Sequence, residues 1–104
     1  MRTDISLAQQ IVQSNHATFE MASRLSERTE TPSVVLIGVP DKSALEAVIE
    51  RLQRYGIDYE AFYEPDNDLG LTAVSTYPIQ NRKQRKAMGT YRLWSPEVCY
   101  ATAA

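Results

Sequence analysis

The chain has 104 residues, 43% of them hydrophobic and 23% charged, with a formal net charge of −2. That length suits one domain with one core, the composition lies far from that of disordered chains, and the charge balance excludes a global basic field for non-specific nucleic-acid binding. A single cysteine, Cys99, excludes an intramolecular disulfide and makes a thiol nucleophile or zinc centre a poor reading; with no secretory h-region and no apolar run near ~18 residues, a cytoplasmic protein without a membrane span is expected.

Ser6 or Asp4 is placed to cap a first helix running to about Arg28. At 3.6 residues per turn, Leu7, Ile11, Ala22 and Leu25 share one side, with Ala8 and Phe19 close by, so this side is expected to face the core. Asn15 points near the centre of that face, and His16, the one histidine, falls at its rim. Imidazole is the side chain that exchanges protons near neutral pH, so a rim histidine is a candidate for cleft chemistry.

Ser26 to Pro32 is polar and reads as a loop. The aliphatic run from Val34 to Val39 predicts a strand buried on both faces, as in a parallel sheet. A second helix starts at Pro40-Asp41 with Asp41 as cap, buries Ala44, Leu45, Val48, Ile49, Leu52 and Tyr55, and stops at Gly56. Ile57 to Tyr63 follows as a strand with Tyr59, Ala61 and Tyr63 on one side and Asp58, Glu60 and Phe62 on the other. Strand, helix and strand in this order predict a right-handed parallel crossover.

Glu64 to Gly70 is turn-forming, Leu71 to Tyr77 is a third strand, Gln80 to Met88 a short basic helix ended by Gly89, and Thr90 to Trp94 a last strand. The expected fold class is therefore α/β: a single three-layer α/β/α domain with a mixed sheet of four or five strands, the first strand truncated at Met1 to Thr3. Ser95-Pro96 opens a C-terminal tail.

Three stretches carry a family resemblance. Arg2-Thr3-Asp4-Ile5-Ser6, the Gln-x-x-His-Ala pattern in Gln13-Ser14-Asn15-His16-Ala17, and Glu64-Pro65-Asp66 followed by Leu71-Thr72-Ala73 resemble the type II peptidyl-tRNA hydrolases, in particular a small bacterial and phage branch. The likeness spans most of residues 1–94, which it marks as the domain, with 95–104 as the tail. It implies hydrolysis of the ester joining a peptide to the terminal adenosine of tRNA. His16 matches the helix histidine, Asp66 or Glu64 the loop carboxylate, and Thr72 the hydroxyl on the next strand. An imidazole held by a carboxylate can activate water, and a hydroxyl or amide can stabilise an oxyanion. Asp4, Gln13, Asn15 and Glu64 are the implied ligand contacts, with Arg82 and Arg85 of the basic stretch as candidates for phosphate. No cofactor or metal is implied, and Glu64, Asp66 and Asp68 lack the spacing of a calcium loop.

The sequence also departs from the family. A Gly-Lys-Gly-Lys-like stretch is replaced by Ser6-Leu7-Ala8-Gln9-Gln10, the functional loop is shortened to Glu64 through Gly70, and nearly all of the first strand is absent. The missing lysine makes a non-catalytic relative that binds or sequesters a small nucleotide-derived ligand, as in phage and host conflict, a rival to the hydrolase. A structural dimerisation domain is the third reading, and a homodimer or higher homo-oligomer is expected.

Overall fold

A computed structural model describes residues 1–25 and 33–96. The predicted loop at 26–32, Cys99 and most of the predicted tail lie outside the described residues. The elements are α1 (Leu7–Ser23), α2 (Lys42–Arg54), β1 (Tyr59–Glu64), a 3-10 turn (Asp66–Asp68), β2 (Gly70–Thr76) and α3 (Arg82–Met88). None of these helices is long and apolar enough to cross a membrane.

The mixed sheet of four or five strands does not form. Among the described residues the sheet has two strands, β1 and β2, paired antiparallel across the short 3-10 connection, and the run from Val34 to Val39 forms no strand, so the predicted parallel crossover lacks its first strand. Residues 1–3, 36–39 and 92–94 lie side by side next to β2, joined by hydrogen bonds such as Arg2 N to Thr72 O, Val39 N to Met1 O and Trp94 N to Leu36 O. They add only isolated bridges, Arg2 to Val39 and Ile37 to Leu93. The run from Val34 was expected to be buried on both faces, yet Val34 and Val35 are 75% and 67% exposed. Only Ile37 and Val39 reach the core, so aliphatic propensity here finds no layer to cover it.

Helix α2 follows its sequence pattern closely. Asp41 caps it by accepting from Ala44 N at 2.8 Å, Arg51 and Arg54 sit in the last turn where cations favour the dipole, and Gly56 at φ +67° reverses the chain. Its buried side chains Leu45, Val48 and Leu52 meet Val39, Ile57 and Leu71, with Tyr59, Ala61 and Val74 packed alongside. Each such aliphatic side chain contributes about 1.5–3 kcal/mol by burial. This is the main core.

Helix α1 covers the other face of the hairpin, where Ala17 packs with Met1 and Ala73 beside Phe62 and Trp94. Ser6 caps it, accepting from Gln9 N at 3.1 Å. Its buried residues are Gln10, Gln13 and Ala17, whereas Ala8, Ile11, Phe19 and Ala22 face solvent. Most of the predicted inward face is therefore outward, with Leu7 and Leu25 half-buried. The helix turns its amides inward because each finds partners there: Gln10 Nε2 donates to Ile5 O at 2.8 Å, and Gln10 Oε1 accepts from Trp94 Nε1 at 2.7 Å. No buried side-chain nitrogen or oxygen among the described residues is left without a partner.

A bulge in β2 decides what α1 meets. Phe62 pairs with Ala73 and Tyr63 with Leu71, so Thr72 is an extra residue opposite no partner. Leu71 and Val74 consequently face α2, while the adjacent Thr72 and Ala73 both face α1.

Candidate functional site

Three segments distant in sequence converge under the middle of α1. From β1, alternate residues Glu60, Phe62 and Glu64 face the helix. Gln13 and His16 of α1 and its C-cap Arg24 lie one or two turns apart on the facing side, so Gln13 meets Glu64, His16 meets Phe62, and Arg24 reaches Glu60 at 3.4 Å. The bulge supplies Thr72.

The polar centre is a directed chain. Thr72 Oγ1 donates to Gln13 Oε1 at 3.0 Å; Gln13 Nε2 donates to Glu64 Oε2 at 2.8 Å and to Gln9 Oε1 at 3.0 Å; Asp66 N donates to Glu64 Oε1 at 3.1 Å. Thr72 and Gln13 are buried at 0% and 1% exposure, so this part of the chain is fixed by packing as well as by bonds. Both oxygens of Glu64 are held. The Gln13 amide, then the Asp66 N–H, keep the Glu64 carboxyl below its ordinary value of 4.5, against some desolvation, and the charge of nearby His16 acts in the same direction.

His16 itself is exposed, its ring stacked on Phe62 with centroids 4.7 Å apart and planes 10° from parallel. Phe62 thus sets the plane of the imidazole, and the Glu64 carboxylate is within electrostatic reach of it. Sequence reading missed Phe62 as a site residue. The signal was the alternation that puts Glu60, Phe62 and Glu64 on one side of β1, facing the Gln13 and His16 pair at i, i+3.

The remaining predicted residues fall elsewhere. Asp66 lends its backbone N–H to Glu64 while its side chain stays exposed, and Glu64 is the carboxylate whose lowered value carries a contribution from the charge of His16. Thr72 directs its one hydroxyl proton to Gln13 Oε1 at 3.0 Å, with Phe62 O a longer second acceptor at 3.5 Å, and has no exposed surface, which suits positioning rather than holding an oxyanion. Asn15 is exposed on the outer side of α1. Asp4 forms a two-point pair with Arg2 at 2.6 and 2.9 Å, which holds its carboxyl below the ordinary range, and Arg2 also donates to Leu69 O and Leu71 O. Arg82 and Arg85 lie exposed on α3, which is fastened to the end of α2 by Gln84 Nε2 to Tyr55 O and Gly56 O and by Arg51 to Ala87 O. They belong to the α2 side of the hairpin, away from the layer that carries His16.

Two open depressions mark the surface, one of about 520 Å³ between Gln53, Asp58, Glu60 and Tyr77, the other of about 370 Å³ between Lys42, Glu46, Ile49 and Tyr63. Neither is lined by Gln13, His16 or Thr72. The first shares Glu60 with the α1-facing side of β1, where Tyr77 donates to it at 3.0 Å, but the His16 group is the one held by a hydrogen-bond chain whose Thr72 and Gln13 are fully buried, so the chemistry and not the concavity marks the candidate site. Comparison with family models, curated proteins and solved structures finds no match.

Proposed function

We propose that this protein is an ester hydrolase of the peptidyl-tRNA hydrolase type, acting on the acyl ester at the 3′ end of tRNA. The observation that carries the reading is the chain from Thr72 through Gln13 to Glu64, which fixes a carboxylate within electrostatic reach of an exposed imidazole. In this reading His16 takes a proton from water as the hydroxide oxygen attacks the acyl carbonyl, and Glu64 stabilises the imidazolium. The tetrahedral intermediate collapses by breaking the bond to the ribose 3′ oxygen, and His16 returns the proton to that oxygen. The products are the free carboxylic acid and the tRNA 3′-terminal hydroxyl. Glu64 takes the carboxylate role, Phe62 orients the ring, and Thr72 and Gln13 position Glu64.

A second reading rests on the His16 and Phe62 stack. The outer face of an exposed, pre-stacked imidazole is a platform for a nucleobase, which favours binding of a nucleotide-like ligand without turnover. Release of N-acyl-amino acid from acylated tRNA by purified protein, with His16→Ala beside it, separates the two. Turnover by the wild type that falls by at least ~100-fold in the variant supports hydrolysis. An inert wild type that co-purifies with a nucleotide, released on denaturation, rejects hydrolysis in favour of binding.

A further inference from the structure

Helix α1 leaves a continuous stripe uncovered. Ala8, Val12, Asn15, Phe19 and Ala22 recur at steps of four and three residues and are all exposed, with Ile11 on the flank. Phe19 is 74% exposed, Ile11 49% and Val12 46%. The alternation of four and three is the spacing by which one helix packs along another, and an outward-facing seam of this kind is not explained by the protein's own core, which α1 meets through Gln10, Gln13 and Ala17.

We infer that this stripe is a self-association surface, on which α1 of a second copy packs across a two-fold axis at Asn15. Three features select this occupant. The seam carries no charge, and Leu7–Ser23 contains no lysine or arginine, so it lacks the cations with which an amphipathic helix meets phosphates of a lipid surface or a nucleic acid. The single polar side chain in the seam, Asn15, stands at its midpoint, where an amide has both a donor and an acceptor to offer an identical amide. A lone asparagine within an apolar helix seam fixes register by this pairing. Finally, the seam is matched about that midpoint: antiparallel packing sets Val12 against Phe19 of the second copy and Ala8 against Ala22, large against large where the helices diverge from the axis and small against small at the ends.

The size sets the strength. About 25 Å of helix exposes a stripe of roughly 300–600 Å² per copy, so the pair buries about 600–1,200 Å², below the ~1,200–2,000 Å² of stable specific interfaces and in the range of weak, transient ones. A dissociation constant in the micromolar range is expected. His16 lies to one side of the seam, so the inference is independent of the proposed hydrolysis.

The test is sedimentation velocity on the full chain from about 1 to 100 µM, bracketing that range. The wild type is expected to pass from monomer to dimer. Phe19→Asp and Val12→Asp, each replacing a side chain that is exposed in the single chain, are expected to weaken the dimer by at least ~100-fold while the circular dichroism spectrum is unchanged. Asn15→Cys in a Cys99→Ser background is expected to form a disulfide-linked dimer under mild oxidation, because residues on the axis come within about 7 Å between Cα atoms. A wild type that stays monomeric throughout overturns the inference, including one that instead binds phospholipid vesicles or RNA. Dimers that persist in both Asp variants, or an Asn15→Cys variant that does not cross-link, overturn it equally. Should one Asp variant fail to fold, the other and the cross-link decide.

Discussion

Thr72→Val removes one hydroxyl and little else, which makes it a sharp probe of the buried chain under α1. Valine keeps the volume and β-branching that suit the strand, but Gln13 Oε1, in a side chain 1% exposed, loses the proton it accepts from Thr72 Oγ1 at 3.0 Å. An acceptor stranded in this way costs about 1–3 kcal/mol. For a domain of this size that lowers the thermal midpoint by roughly 5–15 °C. Urea denaturation of the wild type, Thr72→Val, Gln13→Met and the double variant closes a cycle. With no amide oxygen left to strand, Thr72→Val in the Gln13→Met background should cost almost nothing, giving a coupling of about 1–3 kcal/mol. An equal cost in both backgrounds, or a single variant within ~0.3 kcal/mol of wild type, refutes the bond and with it the positioning of Glu64.

Gly56→Ala should cost about 1–2 kcal/mol in the same denaturation assay, because Gly56 holds φ +67° in open space, so the cost is that of the left-handed backbone alone; a neutral effect would argue against that turn. Stability should also decline on acidification. Asp4 and Glu64 have folded-state carboxyls below their ordinary values of 3.8 and 4.5, so the unfolded chain binds more protons in that range; their contribution is complete above the ordinary values and is lost as pH falls through the lowered ones. Urea midpoints between about pH 6 and 3 should therefore fall less for Asp4→Asn and for Glu64→Gln than for the wild type; parallel profiles would show that neither carboxyl is held in the folded state.

Helix α2 was legible in the sequence because all of its signals agree: the Asp41 cap, the apolar face from Ala44 to Tyr55 and the Gly56 stop. Both hairpin strands were legible as extended segments, but the parallel crossover expected before them was not realised, because it needs a first strand and the run from Val34, with Val34 and Val35 exposed, makes only isolated bridges at Ile37 and Val39. The hydrophobic pattern of α1 pointed to its outer face, because pattern reading places apolar side chains inward and cannot see that two glutamines find complete sets of partners across the chain. His16, Gln13, Glu64 and Thr72 were all named from the sequence, the first two through their helix motif. Their assembly was not readable, since it depends on the bulge at Thr72, a register detail that alternation alone would have missed. The same blindness made Asp66 and Glu64 interchangeable until the backbone turned one into the support of the other.

The choice between those two carboxylates tests the account most directly. Single-turnover release of N-acyl-amino acid from acylated tRNA should be compared for the wild type, Glu64→Gln and Asp66→Asn, with folding monitored alongside. Hydrolysis by the wild type, a loss of at least ~100-fold in Glu64→Gln, and near wild-type rates in Asp66→Asn, whose backbone N–H is retained, are expected. A wild type without turnover, or a loss confined to Asp66→Asn, contradicts the proposed mechanism.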